Sequence, residues 1–341
     1  MMPQNNNTNI LVTGAGGFIG SFIVERALKD NFNVWAGVRK TTSLEYLNDE
    51  RINFIDIPFH NKTELRKVLK QHVEKYGKWD IIIHNLGVTK CNKIEDFDKI
   101  NYIFVRNFVE VLIEENIVPK QFIIMSSLSS FGPCDEKFMT PISLLNPKNP
   151  NTAYGKSKLK TEKFLKSLNE FPYIILCPTG VYGPRERDYL LMFKSIKNGF
   201  DFGAGYKKQQ ITFIYVKDLV ETIFRIISKG IVRKEFIISE DRAYTSSEFR
   251  HYIQKELNKS IVIPVTVPLF VLKGISFLSE RLAHFVGKPS TLNMDKYNIM
   301  KQRNWKCDIS ELKKELDFIP EFSLEEGVKE TTKWYKDKGW L

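Results

Sequence analysis

The chain has 341 residues, 43 % of them apolar, with four cysteines and a formal net charge of +11. That is enough to bury a large core and long for one simple layered unit, so a main domain with a smaller appended region is expected. Cys91, Cys134, Cys177 and Cys307 are widely spaced with no Cys/His cluster, which argues against a disulfide framework or zinc, and the basic charge is interleaved with acids, which argues against nucleic acid and for attraction of anionic ligands.

Residues 1–8 are polar with no apolar export segment, so the chain is expected to stay in the cytoplasm. Residues 10–20, ILVTGAGGFIG, are an apolar run ending in a glycine-rich turn, and 21–28 read as a helix. Gly14, Gly17 and Gly20 allow the tight turn, let backbone N–H groups approach a pyrophosphate, and bring the helix close to the strand with its N-terminus facing the anion. A second apolar strand at 33–38 supplies the context a dinucleotide site needs. Where an acid would hold the ribose hydroxyls of NAD stand Arg39 and Lys40. A guanidinium suits a 2′-phosphate and cannot accept a hydroxyl proton, which favours NADP over NAD unless Arg39 is simply a solvated strand-end cation. A third strand at 54–57 carries Asp56, either an adenine contact or an ordinary strand-end carboxylate.

Apolar strands at 80–84 and 122–125, separated by helices, point to a parallel sheet covered on both faces. They run into Asn85-Leu86-Gly87 and into 126–132, SSLSSFG, at the carboxyl ends where such sheets bind ligands. Next comes Tyr154-Gly155-Lys156-Ser157-Lys158, which on a helix puts Tyr154 and Lys158 on one face. A phenol titrates near pH ~10 and exchanges protons poorly unless a fixed cation stabilises the phenolate; Lys158 is placed to be that cation. One of the preceding serines can then bond the substrate oxygen that Tyr154 protonates.

Residues 203–210, GAGYKKQQ, read as a mobile loop, and 235–239 as a strand returning to the sheet. The expected division is 1–182 plus 212–241 for the dinucleotide and 183–211 plus 242–341 for the substrate. Residues 264–272 lead into an amphipathic helix through Ile275, Leu278, Leu282 and Phe285, interrupted by Lys273, Glu280 and Arg281. Its apolar run falls short of the ~20 residues needed to span a bilayer. It reads as a helix packing the smaller core, with a greasy substrate lid or a membrane-touching surface as alternatives. The closing 334–341 carries no assignable chemistry.

In order, 13–20, Asp56-Ile57, 84–87, Asn101, 126–132, Tyr154 with Lys158, 177–184 (CPTGVYGP) and 213–219 (FIYVKDL) resemble the extended short-chain dehydrogenase/reductases, the NAD-dependent epimerase/dehydratase family. The resemblance implies an α/β fold, a Rossmann-type doubly wound parallel sheet with a smaller, discontinuous C-terminal substrate domain. It implies Ser127 as the catalytic serine, or Ser126 if the register is off by one, with Tyr154 as acid-base and Lys158 as partner of phenolate and ribose. Implied cofactor contacts are Gly14, Gly16, Gly17, Phe18, Ile19, Gly20, Arg39, Asp56, Ile57, Asn85, Leu86, Gly87, Asn101, Tyr154, Lys158, Pro178 and Val181, with no metal. Phe131 and Cys177 stand where family members often have Tyr and Arg. Thr179 or Gly180, and Ile211, stand where nucleotide-sugar members commonly place Asn and Arg for the diphosphate; Arg185, Arg187 and Lys207 are cations close enough in sequence to replace them.

Motif detail is most similar to the dihydroflavonol reductase and 3β-hydroxysteroid dehydrogenase branch. The expected activity is hydride transfer between NADP(H), with NAD allowed, and a hydroxyl or keto carbon of a hydrophobic or lipid-like small molecule. A nucleotide-sugar epimerase or dehydratase is the alternative, and a redox sensor that holds NADP without turnover is the third reading. No nucleic-acid partner and no stable membrane insertion are expected; a homodimer is left open.

Overall fold

A computed structural model describes residues 8–286, 290 and 292–341, with the side chains of 284–286 outside the description. The polar start at 1–7 and the Phe285 side chain therefore lie outside the described residues. In chain order the first half forms β1 (Asn9–Thr13), α1 (Phe18–Lys29), β2 (Asn33–Gly37), β3 (Asn53–Ile55), α2 (Lys62–Tyr76) and β4 (Ile81–His84). A continuous helical stretch follows, made of α3 (Glu95–Asp98), a π turn (Lys99–Ile103) and α4 (Phe104–Glu114), and then β5 (Gln121–Met125) and α5 (Ala153–Lys166). Next come β6 (Tyr173–Pro178), β7 (Gly180–Tyr182), α6 (Leu190–Lys197), β8 (Phe200–Ala204), β9 (Ile211–Tyr215), α7 (Val216–Ser228) and β10 (Lys234–Ile238). The chain closes with β11 (Ala243–Tyr244), α8 (Ser246–Glu256), β12 (Ile263–Val267), α9 (Leu269–Val286), α10 (Met294–Lys301), α11 (Ser310–Leu316) and α12 (Leu324–Asp337).

Seven strands form one sheet in the order β10-β6-β5-β4-β1-β2-β3, every neighbour pair parallel. Every residue of β4, β5 and β6 is buried, as near-continuous apolar strands covered on both faces require. The order reverses between β1 and β4, and that reversal opens a crevice at the carboxyl ends of the strands. The strand expected at 235–239 returns to the sheet as β10.

A second core gathers Tyr182, Phe193, Phe213, Tyr215, Phe249 and Tyr335. Asp218, at the start of α7, accepts the backbone N–H groups of Glu321 and Phe322 at 3.0 and 3.1 Å, so the C-terminal segment is fastened to the helix that follows β9. The run expected to be a mobile loop instead begins in β8, which pairs in parallel with β12 from Phe200 opposite Ile263 to Ala204 opposite Val267.

Helix α9 departs from the expectation of a core helix. Of its described side chains only Leu272 and Ser276 are buried, while Leu269, Phe270, Val271, Ile275, Phe277, Leu278 and Leu282 are exposed. Its inner face is too narrow and too small to hold the apolar stripe that its periodicity suggests. No helix among the described residues is long and apolar enough to cross a membrane.

These two environments separate by stability. Phe249→Ala, which empties a site in the second core, should cost about 3–5 kcal/mol in urea unfolding, whereas Phe270→Ala on the outer face of α9 should change stability by less than about 0.5 kcal/mol. Equal losses would mean that α9 packs like a core helix.

Candidate active site

The ends of β1 and β4 are tied by Thr13, whose Oγ1 lies 3.2 Å from His84 Nδ1 and accepts the Leu86 N–H at 3.3 Å. Gly14 turns there with a φ of +65°, and a Cβ on it would lie 2.9 Å from the Asn85 carbonyl oxygen. A Cβ on Gly20 would lie 2.2 Å from the Gly14 oxygen, so the helix can approach the strand this closely only without a side chain. The turn passes into α1 at Gly17, and no side chain caps that helix. Its first N–H groups, with Phe18, Ile19 and Gly20 in the opening turn, are the donors a pyrophosphate would take up, so the residues present fit a dinucleotide. Gly16 sits against Thr42, which with Arg39 closes a tight turn beyond β2 through Thr42 N–H to Arg39 O at 2.8 Å.

Arg39 and Lys40 are exposed, and neither forms an ion pair among the described residues. Asp56 is exposed one residue beyond β3, the strand that pairs with β2, and Ile57 is buried beside it. Asn85, Leu86 and Gly87 follow β4 across the crevice. Gly87 is hemmed in, since a Cβ there would lie 3.1 Å from both Asn101 Oδ1 and Lys158 Nζ. Asn101, in the π turn, donates from Nδ2 to the Val88 carbonyl and to Ser157 Oγ, both at 3.0 Å, and its Oδ1 accepts the Val88 N–H at 2.9 Å. Both of its donors are spent inside the protein, so Asn101 supports the wall of the crevice instead of offering a free amide to a cofactor. Pro178 ends β6 in a buried position, and Val181 is half-buried in β7.

Ser127 follows β5, and its Oγ accepts the Ser129 N–H at 3.2 Å. Its hydroxyl also faces the Tyr154 phenol and favours the phenolate, against the larger effect of burial, which pushes that phenol up to about 12. Ser126 is differently used: it is buried, and its hydroxyl is committed to the Glu162 carboxylate. The serine that meets Tyr154 is therefore Ser127. Lys158 is buried with its Nζ donating to the Met125 carbonyl at 2.7 Å and lying 5.9 Å from the centre of the Tyr154 ring. Burial lowers its ammonium to about 8, opposed by the Glu162 and Cys177 groups.

Two supports of this trio were not anticipated from sequence. The first is Lys148, whose Nζ meets Glu162 at 2.5 Å, pairs with Glu235, lies 3.9 Å from Cys177 Sγ and sits 4.1 Å over the Phe131 ring. Glu162, Cys177 and Glu235 come within 4.8 Å of one another, as metal ligands would, but the Lys148 ammonium neutralises them from within. It also supplies the cation that Cys177 lacks. The one signal in sequence was Glu162, four residues after Lys158 on the same helical face and so in need of a buried partner. The second support is Asp295 of α10, whose carboxylate accepts the N–H groups of Ala153 and Tyr154 at 3.1 and 3.0 Å. With Thr152 Oγ1 accepting the Gly155 N–H, it fixes the helix turn that presents Tyr154.

Around β7 and β9, Thr179 donates to the Thr212 carbonyl at 2.8 Å, and a Cβ on Gly180 would lie 2.3 Å from the Tyr189 hydroxyl. Ile211 is half-buried at the start of β9. Arg185 is drawn away to α1: it donates to Ser21 Oγ at 2.9 Å, pairs with Glu25 at 2.5 Å and stacks between Phe22 and Tyr46. Arg187 lies over the Trp340 ring, and Lys207 is exposed without an ion pair among the described residues. Arg185 is thus diverted from the role of a diphosphate partner.

A parallel sheet with an uncapped glycine turn at its reversal point, and Ser, Tyr and Lys converging at its carboxyl edge, defines an enzyme dependent on a nicotinamide dinucleotide. A match to the model of the NAD dependent epimerase/dehydratase family covers residues 10–238, and the chain belongs to that family. It is 29 % identical over 227 residues, 62 % of this chain and 71 % of the relative, to a putative UDP-glucose 4-epimerase of Methanocaldococcus jannaschii. It is 22 % identical to a decarboxylating sterol-4-alpha-carboxylate 3-dehydrogenase of Dictyostelium discoideum, over 84 % of this chain and 93 % of that one. The fold is similar to the crystal structure of a UDP-glucose 4-epimerase from Thermotoga maritima, with a TM-score of 0.77 and 21 % identity across 97 % of this chain and 99 % of that one.

The buried ammonium gives a stability signature. Lys158 titrates near 8 in the fold against 10.5 unfolded, so below pH 8 the full cost of burying its charge is present, and the cost is relieved as pH rises from 8 toward 10.5. Lys158→Met should therefore be more stable than the parent at pH 7, by about 1–2 kcal/mol once the lost bond to the Met125 carbonyl is offset. That advantage should shrink as urea unfolding is repeated from pH 8 to pH 10. An advantage that grows with pH would contradict a depressed Lys158.

Proposed function

We propose that the protein transfers a hydride between NADP(H) and a hydroxyl or keto carbon of a hydrophobic, lipid-like small molecule in the cytoplasm. Residues 1–182 and 212–241 would bind the dinucleotide, and 183–211 and 242–341 the substrate. NADP(H), when bound, supplies or accepts the hydride. In the reducing direction Tyr154, protonated because its phenol is pushed far above neutrality, gives its proton to the carbonyl oxygen while Ser127 holds that oxygen by a hydrogen bond. Lys158 then stands beside the phenolate that is left and favours it by its charge.

One observation carries the choice of substrate. Where nucleotide-sugar members of the family commonly place Asn and Arg, Gly180 is covered by the Tyr189 hydroxyl and Ile211 is apolar, and Arg185 is bound to α1. A diphosphate buried there would lack the Asn and Arg partners it has in nucleotide-sugar members, which is costly. The name of the Dictyostelium relative agrees with an apolar substrate. The second reading, conversion of a nucleotide-sugar, is favoured by the names of the Methanocaldococcus and Thermotoga proteins. A redox sensor has no need of the converging Ser127, Tyr154 and Lys158.

Because Arg39 and Lys40 stand unpaired beyond β2, NADPH should bind at least severalfold tighter than NADH in isothermal titration, and Arg39→Asp should reverse the preference. Equal affinities would remove NADP from the proposal.

The substrate class is tested by NADPH oxidation with a panel of hydrophobic ketones, alongside thermal shifts with UDP- and dTDP-sugars. Turnover of a ketone that falls ~10²-fold in Tyr154→Phe with NADPH affinity unchanged is the expected result, with no protection by the sugar nucleotides. Tight binding of a nucleotide-sugar, with conversion to its epimer or keto-sugar, would give the site to the second reading.

A further inference from the structure

Helix α9 is amphipathic in the opposite sense to a surface helix of a soluble protein. Its buried side is Leu272 and Ser276, and its outward side carries Phe270, Val271, Ile275, Phe277, Leu278 and Leu282. Phe270 is 79 % exposed and Phe277 51 %, so these side chains are not folded back onto the body of the protein. Twelve of the twenty-three large apolar side chains that are exposed among the described residues fall on β8, β12, α9 and their flanks, which makes the exposure one concentrated surface and not scatter. The pieces are joined, since Leu269 at the head of α9 packs over Gly205 at the end of β8, and β8 pairs with β12. On β8, the exposed rings of Phe200 and Phe202 stack 6.3 Å apart.

The charges on this surface say what covers it. Lys207, Lys208, Lys273 and Arg281 are exposed, and none forms an ion pair among the described residues. The Arg281 guanidinium lies 4.7 Å over the Phe277 ring, so its charge sits on the outward face itself. The acids of the same elements are used inside the protein: Glu280 accepts the Met294 N–H at 3.0 Å, and Asp201 pairs with Arg250 at 3.1 Å. An apolar face that also carries cations without ion pairs among the described residues fits a layer of anionic headgroups over acyl chains. It fits a second copy of the chain poorly, because a two-fold contact would set the same cations against each other.

We propose that the outward face of α9, with the adjoining β8 and β12, docks this protein on anionic lipid membranes, lying in the interface without crossing it. Docking is tested apart from the substrate reading, because it needs neither cofactor nor turnover.

The test is sedimentation of the full chain with vesicles of phosphatidylcholine containing about 30 % phosphatidylserine, and with vesicles of phosphatidylcholine alone. Strong partitioning to the anionic vesicles, weakened by raised salt, is expected, and Phe270→Glu with Leu278→Glu should lower it at least ~10-fold. Lys273→Glu with Arg281→Glu should lower it about fivefold for each charge removed. All four positions are exposed, and an unchanged melting temperature would confirm that the variants are folded. As a check on the mode of contact, Phe270→Trp should show a blue-shifted emission with anionic vesicles. Partitioning equal in parent and Phe270→Glu/Leu278→Glu chains would overturn the proposal. So would a parent that ignores vesicles but forms dimers that the double variant abolishes, which would assign the face to a second copy.

Discussion

Helix α5 turns a charged face, Lys158 and Glu162, into the interior, and a buried charge without a partner is costly enough to decide the structure around it. The two charges are treated differently. Glu162 takes a hydroxyl from Ser126 and an ammonium from Lys148, so its burial is compensated by the protein alone. Among the described residues Lys158 has the Met125 carbonyl and no carboxylate within salt-bridge reach, and burial depresses its ammonium. The compensated charge is structural: it locks Ser126 and so aims the next residue, Ser127, at Tyr154. The under-compensated charge is the one that, in the proposed reaction, would meet a ligand and the phenolate.

Lys148 extends that arrangement into the sheet. By pairing with Glu235 as well as Glu162, it connects the edge strand β10 with α5, and Lys166 adds a further link to Glu235 at 2.6 Å. The C-terminal part of the chain is fastened by a different device, in which a carboxylate caps backbone N–H groups contributed by a distant segment. Asp218 holds residues 321 and 322, and Asp295 holds the first turn of α5. The C-terminal segment that carries Asp295 therefore also sets the position of α5.

What was legible in the sequence is what local sterics and periodicity encode. Gly14 and Gly20 had to be glycine because a Cβ would strike backbone, the buried strands read as uninterrupted apolar runs, and Tyr154 and Lys158 share a face by helical spacing. Contacts made by residues distant in sequence were not legible. Lys148 replaces a cation missing from Cys177, 29 positions away, and Asp295 reaches across 141 positions to Tyr154. Gly203 suggested a loop because the pairing that makes β8 a strand lies on β12, some sixty residues later. Arg185 was drawn toward the substrate cleft by its place next to Gly183-Pro184, but a left-handed backbone at φ +74° turns it back to α1. For α9 the apolar stripe was visible, while the side of the helix that meets the protein depends on its neighbours.

That last failure joins the two ends of the molecule's function. Glu280 of α9 accepts the Met294 N–H at the start of α10, and the next residue, Asp295, caps α5 beside Tyr154. Helix α3 closes the same corner, with Phe97 edge-on 6.1 Å from the Tyr154 ring. Helix α9 thus has an exposed apolar outer face and an inner end bonded to Met294, the residue before the one that caps the turn presenting Tyr154. For a water-soluble substrate an apolar exterior there would only raise the cost of hydration. For a substrate that partitions into lipid, the same surface would shorten the path from bilayer to Tyr154, so the proposed docking face and the proposed apolar substrate would meet at α9.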